Sequence, residues 1–425
     1  MAVEKPVLSS LGIPNGNKSK DAMPDSSKVV SPTDSENAEK NMAALEATMN
    51  GKLQIHTDPA LEKSQPQDFS SDPLSATALT SPLHSINWDA VRNGGINGIA
   101  NGDSSITSSS SSWESFKRTG PRYPPSLEKL IFDYHHKHGK SWQLAHDAGS
   151  GSGVYSPVLA RYFRHVHVSD PSDVGLATSR QALSKWVSEN KKSRGRFTFS
   201  NSKVEQGHES VADKTVDMVV MMEGAHFTNP EVMVRSAAQT LTSNGTLALV
   251  SYSPICRVVG NPGANEAVQR LHAAWGSQPW DVVCGDARGK KNFSQGLDFV
   301  PLPDDIFDQS KTRRLTINTA GKGSEAFNGL VPGVTADASD NKVRVNGERR
   351  HDFSSENDAD QAKGWRQEVG PEFFRSLTAA MFGPGQVSKF EKHFQEIQEI
   401  VHKTGQDGFI VTVEWTVAVV LATRK

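Results

Sequence analysis

The feature that most constrains the fold is a glycine-rich segment at 147–153, Asp-Ala-Gly-Ser-Gly-Ser-Gly. It follows an apolar run at 141–147, which is typical of a buried strand, and precedes Ser156-Pro157, which is a helix-start signal. A strand, a glycine loop and a helix N-terminus in this order let the backbone approach a nucleotide-like ligand closely. Because a Gly-Ser run is also typical of a flexible linker, the flanking sequence has to decide between the two.

The glycine spacing discriminates between cofactors. Dinucleotide-binding loops favour G-x-G-x-x-G, whereas Gly149, Gly151 and Gly153 fall as G-x-G-x-G, with Asp147 two residues before the first. This spacing counts against a nicotinamide-dependent oxidoreductase.

A second acidic residue supports a binding loop. The β-branched run at 166–170 ends at Asp170, 17 residues beyond Gly153. In nucleotide-binding βαβ units, an acidic residue at the tip of the second strand accepts hydrogen bonds from ribose hydroxyls. An ordinary turn Asp before Pro171 would give the same sequence, so Asp170 supports the loop without identifying it alone.

Strand and helix signals alternate after the loop. This order predicts an α/β fold with a mostly parallel sheet and right-handed crossovers. The segment 408–423, which is strand-rich, predicts a further strand after a helix at 390–403. The other strand signals lie at 141–147, 166–170, 196–200, 216–222 and 246–251, and the other helix signals at 126–138, 157–163, 171–190, 230–241 and 263–275.

The chain divides by composition into a tail and a domain. Residues 1–112 are rich in Ser, Asn, Asp, Pro and Gly without a sustained apolar period, which predicts a disordered low-complexity tail. Residues 113–425 form the predicted domain, with a cap over the substrate at about 254–376 and a disordered stretch within it at about 319–361. Aromatic residues in the cap suit a partly apolar ligand, although ordinary packing explains them equally.

Composition also excludes several classes of protein. Cys256 and Cys284 are too few for a disulfide framework or a zinc site, so no metal is expected. A net charge of -2 argues against a nucleic-acid partner. Neither a signal peptide nor an apolar run of ~18 residues occurs. We therefore expect a cytoplasmic protein without a membrane partner.

These segments together resemble the class I S-adenosylmethionine-dependent methyltransferases. The narrower resemblance is to fungal small-molecule enzymes related to trans-aconitate methyltransferase, and it is carried by 113–116, 122–125, the glycine loop, Ser169-Asp170, His226-Phe227 and 413–416. It implies a Rossmann-like, seven-stranded, mostly parallel sheet with an antiparallel last strand, helices on both faces and a cap insertion.

The resemblance implies a site for S-adenosylmethionine at the carboxyl edge of this sheet. Asp147 would fix the glycine loop or meet the amino group of the cofactor, and Asp170 would hold its ribose. Phe116 and Tyr123 would close over the cofactor, or would simply pack. The remaining implied cofactor contacts are Gly149, Ser150, Gly151, Gly153, Pro171, Val204, Glu205, Glu223 and Gly224.

His226 is the candidate acid/base residue, because a histidine near the transferring methyl group could take a proton from a hydroxyl or an amine. It could instead orient a substrate carboxylate, which needs no base, or only pack. The substrate candidates are Phe227, Trp275 and Trp415.

The leading hypothesis is methyl transfer to an O or N atom of a small molecule in specialised metabolism. The alternative is a methyltransferase-like regulatory protein that binds partners through its tail.

Overall fold

The computed structural model describes residues 119–139, 141–190, 196–334, 341–343, 348–354, 358–404 and 409–425. The predicted tail at 1–112 and the candidate Phe116 lie outside these residues.

The first half of the described chain alternates helices and strands, as the sequence predicts. Side-chain caps begin two of its helices: Ser172 accepts from the Gly175 amide, and Asn229 accepts from the Glu231 and Val232 amides. The elements are α1 Pro125–His138, β1 Leu144–Ala148, α2 Ser156–Tyr162, β2 His165–Ser169, α3 Asp173–Glu189, β3 Arg196–Ser200, α4 Gly207–Ser210, β4 Val216–Met222, α5 Pro230–Thr240 and β5 Leu241–Tyr252.

The second half is less regular and builds both the rest of the sheet and the layer above it. Its elements are β6 Arg257–Val259, α6 Pro262–Ala274, α7 Asp281–Cys284, α8 Ala287–Phe293, β7 Arg313–Ile317, β8 Arg349–Phe353, α9 Ala359–Gly364, β9 Arg366–Val369, α10 Glu372–Phe382, α11 Glu391–Thr404, β10 Val411–Glu414 and β11 Val417–Thr423.

The main sheet has the order β3-β2-β1-β4-β5-β11-β7-β8. Neighbouring strands from β3 to β5 run parallel, and β11 lies antiparallel between β5 and β7. The predicted α/β class with a mostly parallel sheet and an antiparallel late strand is confirmed. The predicted count of seven strands is wrong, because β8 adds an eighth by pairing with β7.

Two sequence interpretations of the second half also need correction. The strand-rich segment 408–423 is not one strand, because the chain leaves a small sheet, ordered β6-β10-β9, at Glu414 and enters the main sheet at Val417. The segment 254–376 is not only a cap, since it contains β7 and β8. Within the stretch predicted to be disordered at 319–361, β8 is hydrogen-bonded to β7 and Phe327 is fully buried.

Both faces of the main sheet are covered. Along β4, Met218 and Val220 pack into the core on one face, while Val219 and Met221 pack into the core on the other. A strand buried on both faces reads as a near-continuous apolar run, and the sequence at 216–222 shows this pattern, interrupted by the buried Asp217.

Among the described residues, no helix is both long and apolar enough to cross a membrane. That part of the chain also holds no group of three or more His, Cys, Asp or Glu side chains that could bind a metal ion.

Candidate active site

The glycine loop connects β1 to α2 and adopts a backbone that favours glycine. Gly149, Gly151 and Gly153 have φ angles of 66°, 54° and 71°. A Cβ atom at Gly153 would lie 2.9 Å from the Cβ of Ser179, so α3 packs closely against the loop. The Ser150 amide donates to the Ser169 carbonyl at 3.0 Å, which ties the loop to the end of β2. The loop is therefore a folded turn, and the linker interpretation does not hold.

Asp147 lies at the end of β1, directly below the loop. Its side chain is 1% exposed and accepts a hydrogen bond from the Ser156 hydroxyl at 2.5 Å. Burial raises the pKa of this carboxyl to about 7; the Ser156 hydrogen bond opposes the rise, and the charge of Asp170 adds to it. The residue thus joins β1 to the first turn of α2.

Asp170 follows β2 and accepts hydrogen bonds from the backbone. One carboxylate oxygen accepts from the Gly151 amide at 2.7 Å, and the other accepts from the Ser172 amide at 2.8 Å. The carboxylate therefore holds the glycine loop and the start of α3 together.

Three further residues that the resemblance implies as cofactor contacts follow β2 and β3. Pro171 is exposed and Val204 is buried. The carboxylate of Glu205 accepts from the Asn229 amide at 3.0 Å, so this side chain braces the start of α5.

Glu223 and Gly224 follow β4, at the same edge of the sheet as Asp147. Glu223 has a φ of 61°, which is unusual for a residue with a side chain, and its carboxylate accepts from the Tyr252 amide at the end of β5. The side chain is partly exposed. Its low-dielectric surroundings nevertheless raise the pKa of the carboxyl well above the usual range, against hydrogen bonds from Tyr252 and Ser251.

Five aromatic residues form a connected cluster at this edge, which we call the aromatic cluster: Tyr123, Tyr155, Tyr252, Trp365 and Trp415. The ring of Tyr123 lies 5.5 Å from that of Tyr155 and 6.2 Å from that of Trp365, between centroids. The ring of Tyr252 lies 6.5 Å from Trp365 and 5.8 Å from Trp415.

The aromatic cluster adjoins the carboxyls of Asp147 and Glu223. After burial, the charges of Glu223 and Asp147 are the next largest causes that raise the pKa of the Tyr123 phenol. The charge of Glu223 acts on the Tyr252 phenol in the same direction. The structure therefore brings Tyr123, Asp147 and Glu223 together and connects Trp415 to them through Tyr252.

His226 lies in a 3₁₀ turn after β4, at Ala225–Phe227. Its ring is 4% exposed, and neither nitrogen forms a hydrogen bond of normal geometry with the described residues. Burial lowers the pKa of the imidazole to about 3, which the Val283 backbone opposes in part. The ring packs between Phe227, in a tilted contact at 4.0 Å between centroids, and Phe293, in an edge contact at 5.0 Å. His226 is therefore neutral near pH 7.

The other substrate candidates lie in different settings. Phe227 is 39% exposed beside His226. Trp275 is fully buried at the end of α6, where its ring contacts His272 and Phe382. These contacts connect Trp275 to α6 and α10 and not to the aromatic cluster.

The sequence interpretation did not include three members of the aromatic cluster as site residues: Tyr155, Tyr252 and Trp365. Tyr252 ends a strand at the carboxyl edge, so the rule that selected Glu223 also applies to it. Tyr155 directly precedes α2, and Trp365 lies between α9 and β9. No sequence pattern marks either position as part of a site.

The loop and its neighbours fit the methionine end of an S-adenosylmethionine molecule. The Ser150 hydroxyl is buried without a hydrogen-bond partner. A Cβ atom at Gly149 would have only the Met221 methyl group within 4 Å, so this part of the loop leaves room for a ligand. The nearby charges come from Asp147 and Glu223, and acidic groups suit a cationic sulfonium and an amino group.

Comparison with known proteins indicates which cofactor this site fits. Residues 146–249, from β1 to β5, match the family described as "Methyltransferase domain". This segment of the chain is similar to methyltransferase domains. The match covers the glycine loop, Asp170 and Glu223, and so supports S-adenosylmethionine as the cofactor that the sequence led us to expect.

Over about three quarters of its length, the chain is similar to fungal methyltransferases. Methyltransferase gedG of Aspergillus terreus is 27% identical over 328 residues, which cover 73% of this chain and 91% of that protein. Methyltransferase AacuQ of Aspergillus aculeatus is 25% identical, over 74% of this chain and 93% of that protein. Methyltransferase tpcM of Aspergillus fumigatus is 25% identical, over 77% and 96%. The narrower resemblance to trans-aconitate methyltransferase stays a prediction.

Proposed function

We propose that this protein transfers the methyl group of S-adenosylmethionine to an oxygen or nitrogen atom of a small molecule, within specialised metabolism. The observation that carries the proposal is that two groups of residues meet at the carboxyl edge of the main sheet. The glycine loop with Asp147 and Asp170 lies on one side, and Glu223 with the aromatic cluster lies on the other. The fungal relatives, which are named as methyltransferases, support this proposal.

S-adenosylmethionine would supply a methyl group that is bonded to a cationic sulfur. An acceptor atom can attack the methyl carbon in line and displace the sulfur. The protein then mainly has to hold the acceptor behind that methyl group, and alignment of this kind can contribute ~7 to 11 kcal/mol. The folded glycine loop and the carboxylate of Asp170 would fix the donor. The partly exposed Tyr123 and Glu223 lie where an acceptor would enter.

His226 fits an orienting role better than that of a strong base. With a pKa of about 3, the buried imidazole holds a proton weakly, but the ring nitrogen that does not face the Val283 backbone could hydrogen-bond an acceptor. We expect His226→Ala to lower turnover roughly tenfold, which is below the ~10² to 10⁴ of a general base. His272→Ala is the matched control, because His272 is also buried with a pKa of about 3 and unpartnered nitrogens.

The direct test is calorimetric titration of the full chain with S-adenosylmethionine, S-adenosylhomocysteine and NAD. We expect the first two to bind at micromolar concentration and NAD not to bind. Asp170→Ala should weaken the binding of S-adenosylhomocysteine at least tenfold, because the glycine loop loses its bond to the carboxylate. Absence of binding by both sulfur compounds would refute the proposal and favour the regulatory alternative.

A further inference from the structure

We propose that His146 is a positioning residue for the cofactor. Through the Ser169 hydroxyl it fixes the end of β2, to which the glycine loop is fastened, and it thereby raises the affinity for S-adenosylmethionine. This inference rests on the proposed function and adds to it a side chain that lies inside the sheet. Its basis is a row of buried polar residues across β1, β2 and β3, together with the two hydrogen bonds of Ser169.

Polar side chains form two rows across three strands, on one face of the main sheet. Strand register pairs His146 of β1 with His167 of β2, and His167 with Thr198 of β3. Two positions further along, it pairs Ser169 with Ser200. Because side chains alternate between the two faces of a strand, residues two positions apart share a face. All five polar side chains therefore lie on the same face, at or near the carboxyl ends of these strands.

These polar side chains interrupt an otherwise apolar core. On its other side, His146 pairs with Val219 of β4, which belongs to the apolar core of the same face. His146 is 1% exposed and His167 is 6% exposed. A buried polar group costs free energy unless it is hydrogen-bonded. The hydrogen bonds of the two rings therefore show what these histidines contribute.

Both imidazole rings are hydrogen-bonded to hydroxyl groups of neighbouring strands. His146 Nε2 and the Ser169 hydroxyl are 2.8 Å apart. His167 Nδ1 lies 2.9 Å from the Thr198 hydroxyl, and its Nε2 lies 2.9 Å from the Ser200 hydroxyl. Burial lowers the pKa of His146 to about 3, with the charge of His167 adding to the fall, and burial lowers the pKa of His167 to about 4. Both rings are thus neutral near pH 7, and a neutral ring pairs well with hydroxyls, which donate or accept as needed.

Ser169 connects these rows to the glycine loop. Its hydroxyl bonds His146, while its carbonyl accepts from the Ser150 amide at 3.0 Å. The next residue, Asp170, accepts from the Gly151 amide at 2.7 Å. Ser169 is also the last residue of β2 in the strand register, where the backbone ladder ends. The bond from His146 therefore acts where the loop is fastened, and its loss should loosen both loop contacts.

A second buried histidine separates this role from simple core packing. His135 of α1 is also 1% exposed, and its nitrogens lie 2.8 Å from the Thr246 hydroxyl and 2.9 Å from the Ser141 carbonyl oxygen. These contacts join α1 to β5 and to the segment before β1, and they do not involve the glycine loop. His135 thus matches His146 in burial and in bonding to a hydroxyl, and it serves as the control.

The experiment is calorimetric titration of the full chain with S-adenosylhomocysteine. The wild type comes first, because absence of binding there would refute the proposed function and this inference with it. Two variants then test one nitrogen: His146→Gln keeps a side-chain amide near the position of Nε2, whereas His146→Asn reaches only to that of Nδ1. We expect His146→Gln to bind within about threefold of the wild type and His146→Asn to bind about tenfold more weakly, as for one lost hydrogen bond. Equal affinities of the two variants would overturn the inference and leave the proposed function intact.

The control variant separates positioning from a general loss of stability. His135→Asn should lower the melting temperature as His146→Asn does, but it should leave the affinity for S-adenosylhomocysteine unchanged. Hydrogen–deuterium exchange of the loop peptide 148–155 should be faster in His146→Asn and unchanged in His135→Asn, because only the first loosens the loop. Equal losses of affinity in the two variants would overturn the inference.

A double-mutant cycle tests the route through Ser169. Ser169→Ala should weaken S-adenosylhomocysteine binding about tenfold, because it removes the hydroxyl that His146 bonds. The double variant Ser169→Ala with His146→Asn should bind no more weakly than either single variant, since both changes break the same bond. Additive losses would overturn the route. Wild-type affinity in Ser169→Ala would overturn the inference even if His146→Asn fails to fold.

Discussion

The two sides of the site are built on opposite principles. At the glycine loop the polar groups bind the protein itself: Asp170 accepts two backbone amides, and Asp147 accepts the Ser156 hydroxyl. In the aromatic cluster the buried donors of Tyr155, Trp365 and Trp415 have no partner among the described residues. The first side is organised before any ligand arrives. The second side holds donors that a ligand would satisfy.

This difference suggests a division of labour. A preorganised loop suits a cofactor that is the same in every turnover, because its binding then costs little reorganisation. Unpartnered donors lower the stability of the free protein. They are tolerated where a bound ligand accepts their hydrogen bonds. The four predictions that follow test this contrast from the largest expected effect to the smallest.

The largest effect is expected at the tightest point of the loop. Gly153→Val forces a branched side chain into a φ of 71° and against Ser179, so we expect a loss of roughly 3 to 5 kcal/mol in unfolding free energy and loss of cofactor binding. Urea denaturation measures the first and calorimetry the second. Gly383→Ala is the control, because its φ is 88° but no atom lies within 4 Å of a new Cβ. Equal stability losses would show that packing against α3 does not matter.

The next effect is a pH dependence of stability at Asp147. Its folded pKa of about 7 lies above the unfolded value near 4, so the folded state binds the proton more tightly. The resulting stabilisation, of at most about 4 kcal/mol, is fully present below about pH 4. It is lost as the pH rises to about 7.

Asp147→Asn should remove this dependence, so that its unfolding free energy falls less between pH 5 and pH 8 than that of the wild type. Ser156→Ala should extend the wild-type decline to higher pH, because the hydrogen bond that lowers the carboxyl pKa is gone. Parallel wild-type and Asp147→Asn curves would contradict the assignment.

A matched pair of tyrosines compares a paired hydroxyl with an unpaired one. Tyr155→Phe removes a buried hydroxyl without a partner, so stability should stay the same or rise by up to about 1 kcal/mol. Tyr134→Phe removes a hydroxyl that bonds Thr423 at 2.8 Å and should cost about 1 kcal/mol. Thermal denaturation of both variants decides the matter, and a larger loss for Tyr155→Phe would mean that its hydroxyl is satisfied in solution.

The smallest effect concerns the loop hydroxyl. Ser150→Ala removes a buried oxygen without a partner, so it should leave stability within about 0.5 kcal/mol. If the cofactor provides the partner, S-adenosylhomocysteine should bind about three- to tenfold more weakly. Ser188→Ala, at an exposed helix position far along α3, should change neither quantity.

The sequence predicts the cofactor side well because its signals are local. The glycine spacing at 149–153 and the carboxylates at Asp147 and Asp170 follow from how a βαβ unit must close on a ligand, and apolar runs mark β4 and the second half of β5. The count of strands is harder, because β8 consists of Arg-Arg-His-Asp-Phe and its place is set by pairing with β7. No local pattern marks such a strand.

The acceptor side is hard to predict for a different reason. Tyr123, Tyr252, Trp365 and Trp415 come from distant segments, and only the tertiary fold brings their rings together. Trp275 looked equivalent in sequence, but its position at the end of α6 directs it to another layer. Burial likewise gives His226 a pKa that its sequence neighbours could not indicate.

The antiparallel strand β11 has a consequence for the order of folding during synthesis. It is the last of the described strands in the chain, yet it lies between β5 and β7 and is buried along its whole length. Until the ribosome has released it, β5 and β7 cannot join, and two apolar strand edges stay open to wrong pairing. A nascent chain of this protein would therefore depend on chaperones late, after most of its glycine loop side is already in place.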